Sequence, residues 1–139
     1  MPARRIRQAA DDELYAMCQH LEYIPSSGFK GITLTLDGKP SVIIGYDNWT
    51  TGSVCMHIWV IDPKAMGRDI LREGFRYPFE QCDRAVALGI VRSDNKAALD
   101  FDLRLGFQPV GDPIKDAYGP GVDMHVLQLP RHQCKWIKP

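Results

Sequence analysis

"SDNKAALDFDLRLGFQPVG", residues 93–111, is a helix written between two strands. Polar Ser93, Asp94 and Asn95 precede a run in which Ala98, Phe101 and Leu105 recur at helical spacing. Ser93 or Asp94 is expected to cap the helix, because a side-chain oxygen there accepts a free N–H of the first turn. Gly106 stands where a left-handed residue would end it, and "FQPVG" opens the next strand. An amphipathic helix packed on a sheet accounts for all of this, yet it does not require asparagine at 95.

Outward from this stretch the pattern keeps alternating in type. Upstream, "RAVALGIV" (84–91) reads as a buried strand, and "SVCMHIWVIDP" (53–63) as another, stopped by Pro63. Between them "KAMGRDILREGFRYPFEQC" (64–82) predicts a helix with Ile70, Gly74, Phe75 and Phe79 towards one face, its last turn kinked by Pro78. "GITLTLDGKPSVIIGYD" (31–47) reads as a hairpin turning at Asp37-Gly38. "RRIRQA" (4–9) predicts a first strand, and "DDELYAMCQHLEYI" (11–24) a helix with Leu14, Met17, Leu21 and Ile24 on its apolar stripe. Downstream, "FQPVGDPI" (107–114) and "VDMHVLQLP" (122–130) predict antiparallel strands around a loop "KDAYGPG" (115–121). The tail "RHQCKWIKP" (131–139) sets Trp136 and Ile137 among charges, as an association segment or a frayed end. The order predicts a single α/β (α+β layered) domain over 1–139: a central mixed, mostly antiparallel sheet flanked by helices, without the regular alternation of a doubly wound fold.

Composition removes several function classes. Seventeen Lys and Arg balance seventeen Asp and Glu, so no global field draws the chain to nucleic acid or an anionic membrane. The basic N-terminal "ARRIR" runs into "QAADDELY" rather than an apolar stretch, and no apolar run is long enough to span a bilayer. Cys18, Cys55, Cys82 and Cys134 are scattered without a C-x-x-C pair, which predicts neither zinc nor a disulfide framework, and a cytoplasmic setting. Cys55 and Cys82 are expected as buried thiols rather than nucleophiles.

"NKAALDFDLRLGFQPVG" resembles the N-x-x-A…L-G-F…G signature of the GNAT superfamily of acyl-CoA-dependent N-acyltransferases. Asn95, Ala98, Gly106, Phe107 and Gly111 carry the match, and the likeness extends in element order from Ser53 to Arg131. The resemblance implies acetyl-CoA as acyl donor, with Asn95 and Phe101 beside its pantetheine arm. It also implies a pyrophosphate-binding turn at the start of the preceding helix, over Ile61, Lys64, Met66, Gly67, Arg68 and Asp69. Backbone N–H groups at a helix N-terminus suit an anion. Gly67 matches a family glycine, but Asp69 stands where the family has a second small residue and brings negative charge. Lys64, Arg68 and Arg72 are expected to offset it.

Acyl transfer to an amine needs a proton acceptor for the ammonium and a donor for the departing thiolate. The family commonly places a tyrosine four residues before the glycine that ends the helix; here that position is Asp102. An ionised carboxylate cannot donate a proton unless burial raises its pKa. Asp102 is therefore read as a solvated-face residue contacting the acceptor amine. His57, on the strand entering the turn, and Tyr118, on the "KDAYGPG" loop, are the other catalytic candidates; a structural histidine and a packed tyrosine are the plainer readings. No metal is expected. The partners implied are an acyl-CoA, an amine acceptor and a second copy of the chain in a homodimer. The alternative is a GNAT-like binding or structural module without turnover, similar to the acetyltransferase-like proteins of bacteriophages.

Overall fold

In a computed structural model, which describes residues 3–138, the apolar alternation becomes one eight-stranded sheet. The chain runs β1 (Arg4–Gln8), α1 (Asp11–Leu21), β2 (Lys30–Leu36), β3 (Lys39–Asp47), β4 (Ser53–Val60), a 3-10 turn (Pro63–Ala65) and α2 (Arg68–Arg76). There follow a π-helical turn (Tyr77–Gln81), β5 (Val86–Arg92), α3 (Lys96–Leu105), β6 (Gln108–Pro109), β7 (Ile114–Gly119), β8 (Val122–Pro130) and a 3-10 turn (Arg131–Gln133). The strands lie in the order β1-β2-β3-β4-β5-β8-β6, with β7 also paired to β8. Every pairing is antiparallel except β4–β5. The expected mixed, mostly antiparallel sheet with flanking helices is the observed architecture.

Side chains alternate across a strand, so β3 and β4 feed two cores. One face carries Ile43 and Trp59 and takes α1 through Leu14 and Met17. The other carries Leu34, Val42, Ile44, Tyr46, Val54 and Met56, and takes α2 through Ile70, Leu71 and Phe75. Tyr46 docks α2: its hydroxyl donates to the Gly74 carbonyl at 2.6 Å in the interior. Gly74 permits that approach, since a Cβ there would stand 2.6 Å from Ile44 Cδ1. Helix α3 lies on the same side, with Leu105 buried and Ala98, Leu99 and Phe101 half-covered. Among the described residues no helix is long and apolar enough to cross a membrane.

Several local expectations need correction. Helix α1 stops at Leu21, where Glu22 takes a left-handed conformation, so Ile24 leaves the apolar stripe and is 94% exposed. Pro78 does more than kink the second helix: α2 ends at Arg76 and the chain widens into a π turn, which accommodates a residue lacking an N–H. The "KDAYGPG" loop is largely strand β7, whereas the strand expected over 107–114 shrinks to Gln108–Pro109. The tail is not frayed: Cys134 is fully buried, Trp136 Nε1 donates to the Leu105 carbonyl at 2.8 Å, and Trp136 and Ile137 join the main core. Cys55 is buried as expected, but Cys82 is only half-buried.

Candidate active site

The parallel pairing of β4 with β5 is short. Ser53, Val54 and Cys55 face Val86, Ala87 and Leu88, and then the strands part. Met56–Val60 stay paired to β3 only, while Gly89–Arg92 stay paired to β8. The backbone edges thus released border a cavity of about 520 Å³. It passes through the sheet, because its walls come from both faces. Met56, Ile58, Met66 and Phe101 line the side of α2 and α3; His20, Leu21, Trp59 and Tyr118 line the side of α1.

Helix α3 supplies one wall with Asn95, Ala98, Phe101 and Asp102, which share a face at helical spacing. Asn95 caps α3, contrary to the expectation for Ser93 or Asp94. Its Oδ1 accepts the Ala98 N–H at 3.1 Å. Ser93 is used instead by the Asp123 N–H, and Asp94 by the Arg92 guanidinium. Asparagine at 95 therefore has a local reason that the amphipathic pattern alone did not reveal. Asp102 is not on a solvated face. It is half-buried and lines the cavity, with Oδ2 over Gly89, 3.6 Å from where a Cβ would stand. Burial alone raises its pKa to about 7. Neither a cation nor a hydrogen-bond donor meets it among the described residues, so nothing offsets the cost of ionising the carboxyl there.

On the opposite side, His57 Nε2 lies 2.8 Å from Asp47 Oδ1, with both side chains nearly inaccessible, at 9% and 6%. Tyr23 stacks on the imidazole at 4.0 Å between ring centroids. Burial pushes the Asp47 carboxyl up, but the hydrogen bonds from His57 and the Ser26 N–H prevail and hold it below the usual range. Tyr118 sits on β7 rather than on a loop. Its hydroxyl donates to the Leu21 carbonyl at 2.6 Å, and the Arg92 guanidinium lies over its ring at 5.5 Å. Burial raises the phenol pKa.

At the far end the cavity meets the turn before α2, where Pro63 and Met66 line it. Gly67 is the N-cap of α2 and offers no side-chain cap. The N–H groups of Gly67 and Arg68 find no acceptor among the described residues, whereas those of Asp69 and Ile70 turn to the Asp69 carboxylate. Asp69 turns to β1: Arg4 Nη2 donates to its Oδ1 at 2.8 Å and Arg4 Nε to its Oδ2 at 3.2 Å. Arg4 holds the Asp69 carboxyl below the usual range. The charge expected to be offset by Lys64, Arg68 and Arg72 is thus offset by Arg4, 65 positions upstream. Arg68 lies over the Trp136 ring at 5.6 Å instead.

Of the residues singled out from sequence, His57, Tyr118, Asp102, Met66, Asn95 and Phe101 line one cavity. Ile61, Lys64, Gly67, Arg68 and Asp69 do not; they form or flank the turn at its end. Sequence reasoning missed Asp47, Tyr23, Arg4 and Arg92. Each acts through a partner at least ten positions away or in another element, and no local spacing announces that.

No family model and no curated protein matches the sequence. Solved structures do match. The N-acetyltransferase PseH of Campylobacter jejuni superposes with a TM-score of 0.65 at 16% identity, over 94% of this chain and 99% of that one. PseH in complex with acetyl coenzyme A gives 0.63 at 15% identity, over 93% and 99%. Mutant forms of the spermidine/spermine N-acetyltransferase SpeG of Vibrio cholerae give 0.74 at 10% identity, over 93% and 94%. At such identities the likeness speaks for architecture, and the architecture is the GNAT fold.

Proposed function

We propose that the chain is an N-acyltransferase that moves an acetyl group from acetyl-CoA to a primary amine. The observation that carries this reading is the splay of β4 from β5. It opens a cavity through the sheet, with a helix N-terminus at one end and, in its wall, a carboxyl that burial makes harder to ionise. A long, anionic donor would lie with its phosphates at the Gly67 and Arg68 N–H groups, near Lys64 and Arg68, and its arm along Ile61, Met66, Asn95 and Phe101. The acceptor would enter from the α1 side, past His20, Trp59 and Tyr118.

In the reaction the amine nitrogen forms a bond to the thioester carbon and the C–S bond breaks. Asp102, protonated, gives its proton to the departing thiolate. His57, oriented by Asp47, takes the proton of the ammonium through its second ring nitrogen. Free N–H groups on the unpaired edge of β4 would stabilise the intermediate's oxyanion. His57→Gln is expected to lower turnover with little change in donor affinity; full activity in that variant would remove His57 as base. The absence of a tyrosine at position 102 favours a second reading, a GNAT-like binding or structural module without turnover.

Thermal unfolding with and without acetyl-CoA, and with plain CoA beside it, tests the donor. A ligand at about 100 times its Kd adds roughly 2.7 kcal/mol to the folded state. No shift at millimolar concentration of either would overturn the acyl-CoA reading. A shift without thiol release across a panel of amines would select the binding module.

A further inference from the structure

Asp69 poses a problem for an anionic donor only if its carboxylate faces the donor, and the geometry says where it faces. A Cβ built on Gly67 would stand 3.1 Å from Asp69 Oδ1 and 3.3 Å from Arg4 Nη2. The ion pair therefore fills the space on the Cα side of Gly67. The same Oδ1 accepts the Ile70 N–H at 2.8 Å. Arg4 Nη2 also donates to the Ala65 carbonyl at 3.0 Å. One guanidinium thus holds the residue two before Gly67 and the residue two after it, and ties both to the edge strand β1. Planar, forked donors suit such a bridge, whereas a lysine would hold one side at a time.

We infer that Arg4 and Asp69 are positioning residues for the donor's phosphates: a clamp from β1 that holds the Asp69 carboxylate on its own helix turn and fixes the loop so that the Gly67 and Arg68 N–H groups stay open to one anion. This rests on the acyl-CoA reading. In it the acidic residue strengthens phosphate binding through Arg4 instead of opposing it. The pair is half-exposed, with side chains 36% and 46% accessible, a setting in which an ion pair contributes little to global stability. Its effect is on the shape of the turn.

The test compares two donors, acetyl-CoA and S-acetyl-pantetheine, which lacks the phosphates. Arg4→Met and Asp69→Asn are each expected to raise the Kd or KM for acetyl-CoA about tenfold and leave S-acetyl-pantetheine within about twofold. The double variant should lose no more than either single one, and Arg4→Lys should recover part of the loss. Urea midpoints and circular dichroism are expected to match the unmodified protein. Equal losses on both donors would overturn the clamp and leave Arg4 a general support of the fold. So would tighter binding of acetyl-CoA by Asp69→Gly, since the carboxylate would then oppose phosphate. An unmodified protein that does not bind acetyl-CoA overturns the donor reading and this inference together. One that binds it equally well in all variants overturns the clamp alone.

Discussion

Helices α2 and α3 both begin at the cavity, and they begin differently. Helix α3 is closed by its own asparagine, whose Oδ1 takes the Ala98 N–H. Helix α2 starts at a glycine without a side-chain cap; Asp69 takes the Ile70 N–H, and the Gly67 and Arg68 N–H groups are left for an outside acceptor. The docking differs in the opposite sense. Four residues of the short α2 are buried, against Leu105 alone in α3. A firmly seated helix with an open end suits a fixed anion site. A shallowly seated helix with a closed end suits a wall whose side chains, Phe101 and Asp102, face the cavity.

The largest effect should come from unseating α2. Phe75 is fully buried and stacks on Phe79 at 6.2 Å, so Phe75→Ala should cost about 3–5 kcal/mol in urea unfolding. Phe101→Ala opens onto space that already exists and should cost at least about 1 kcal/mol less. Equal costs would mean that α3 is seated as firmly as α2, and the contrast would be gone.

Asp102→Asn probes the other helix through pH. The folded-state pKa of about 7 lies above the unfolded value of 3.8. Between those values the folded protein keeps a proton that the unfolded chain releases, so stability should fall as pH rises from about 4 to about 7 and level off above. The span is at most roughly 4 kcal/mol. Asp102→Asn should flatten that slope. In the proposed reaction it should also reduce turnover about 100-fold, with donor Kd within about twofold. A pH slope of stability as steep in the variant as in the unmodified protein would mean that Asp102 is solvated after all. Unchanged turnover would remove it as the acid.

The sheet was legible because its signals are local. Ile32, Leu34 and Leu36 alternate, Asp37-Gly38 turns, and Pro63 stops β4, and each is decided within a few residues. The opening between β4 and β5 is not written in either strand. "SVCMHIWV" and "VALGIVR" are both apolar almost throughout, and only three-dimensional pairing reveals where they separate. The same holds for charge. Asp102 and Asp69 look alike in sequence, yet one meets only burial and the other a guanidinium from β1. Motif spacing brought Met66, Asn95 and Phe101 to the same cavity as His57, Asp102 and Tyr118. It could not say that burial would raise the pKa of Asp102, or that Asn95 was already in use.

The smallest effect separates the two uses of Asn95. Removing a cap of this kind costs about 1 kcal/mol, so Asn95→Ala should lower the urea midpoint modestly. Asn95→Asp retains an oxygen for the Ala98 N–H and should hold stability near that of the unmodified protein, helped by a negative charge at the helix start. The two variants share the loss of the side-chain amide donors. If Asn95 serves α3 alone, acetyl-CoA affinity should move less than about threefold in Asn95→Ala and not at all in Asn95→Asp, apart from charge repulsion removed by salt. If Nδ2 also reaches the pantetheine arm, both variants should lose affinity by a similar factor that salt does not restore. The closed end of α3 would then be part of the donor site, and the contrast between the two helices would narrow to the phosphates.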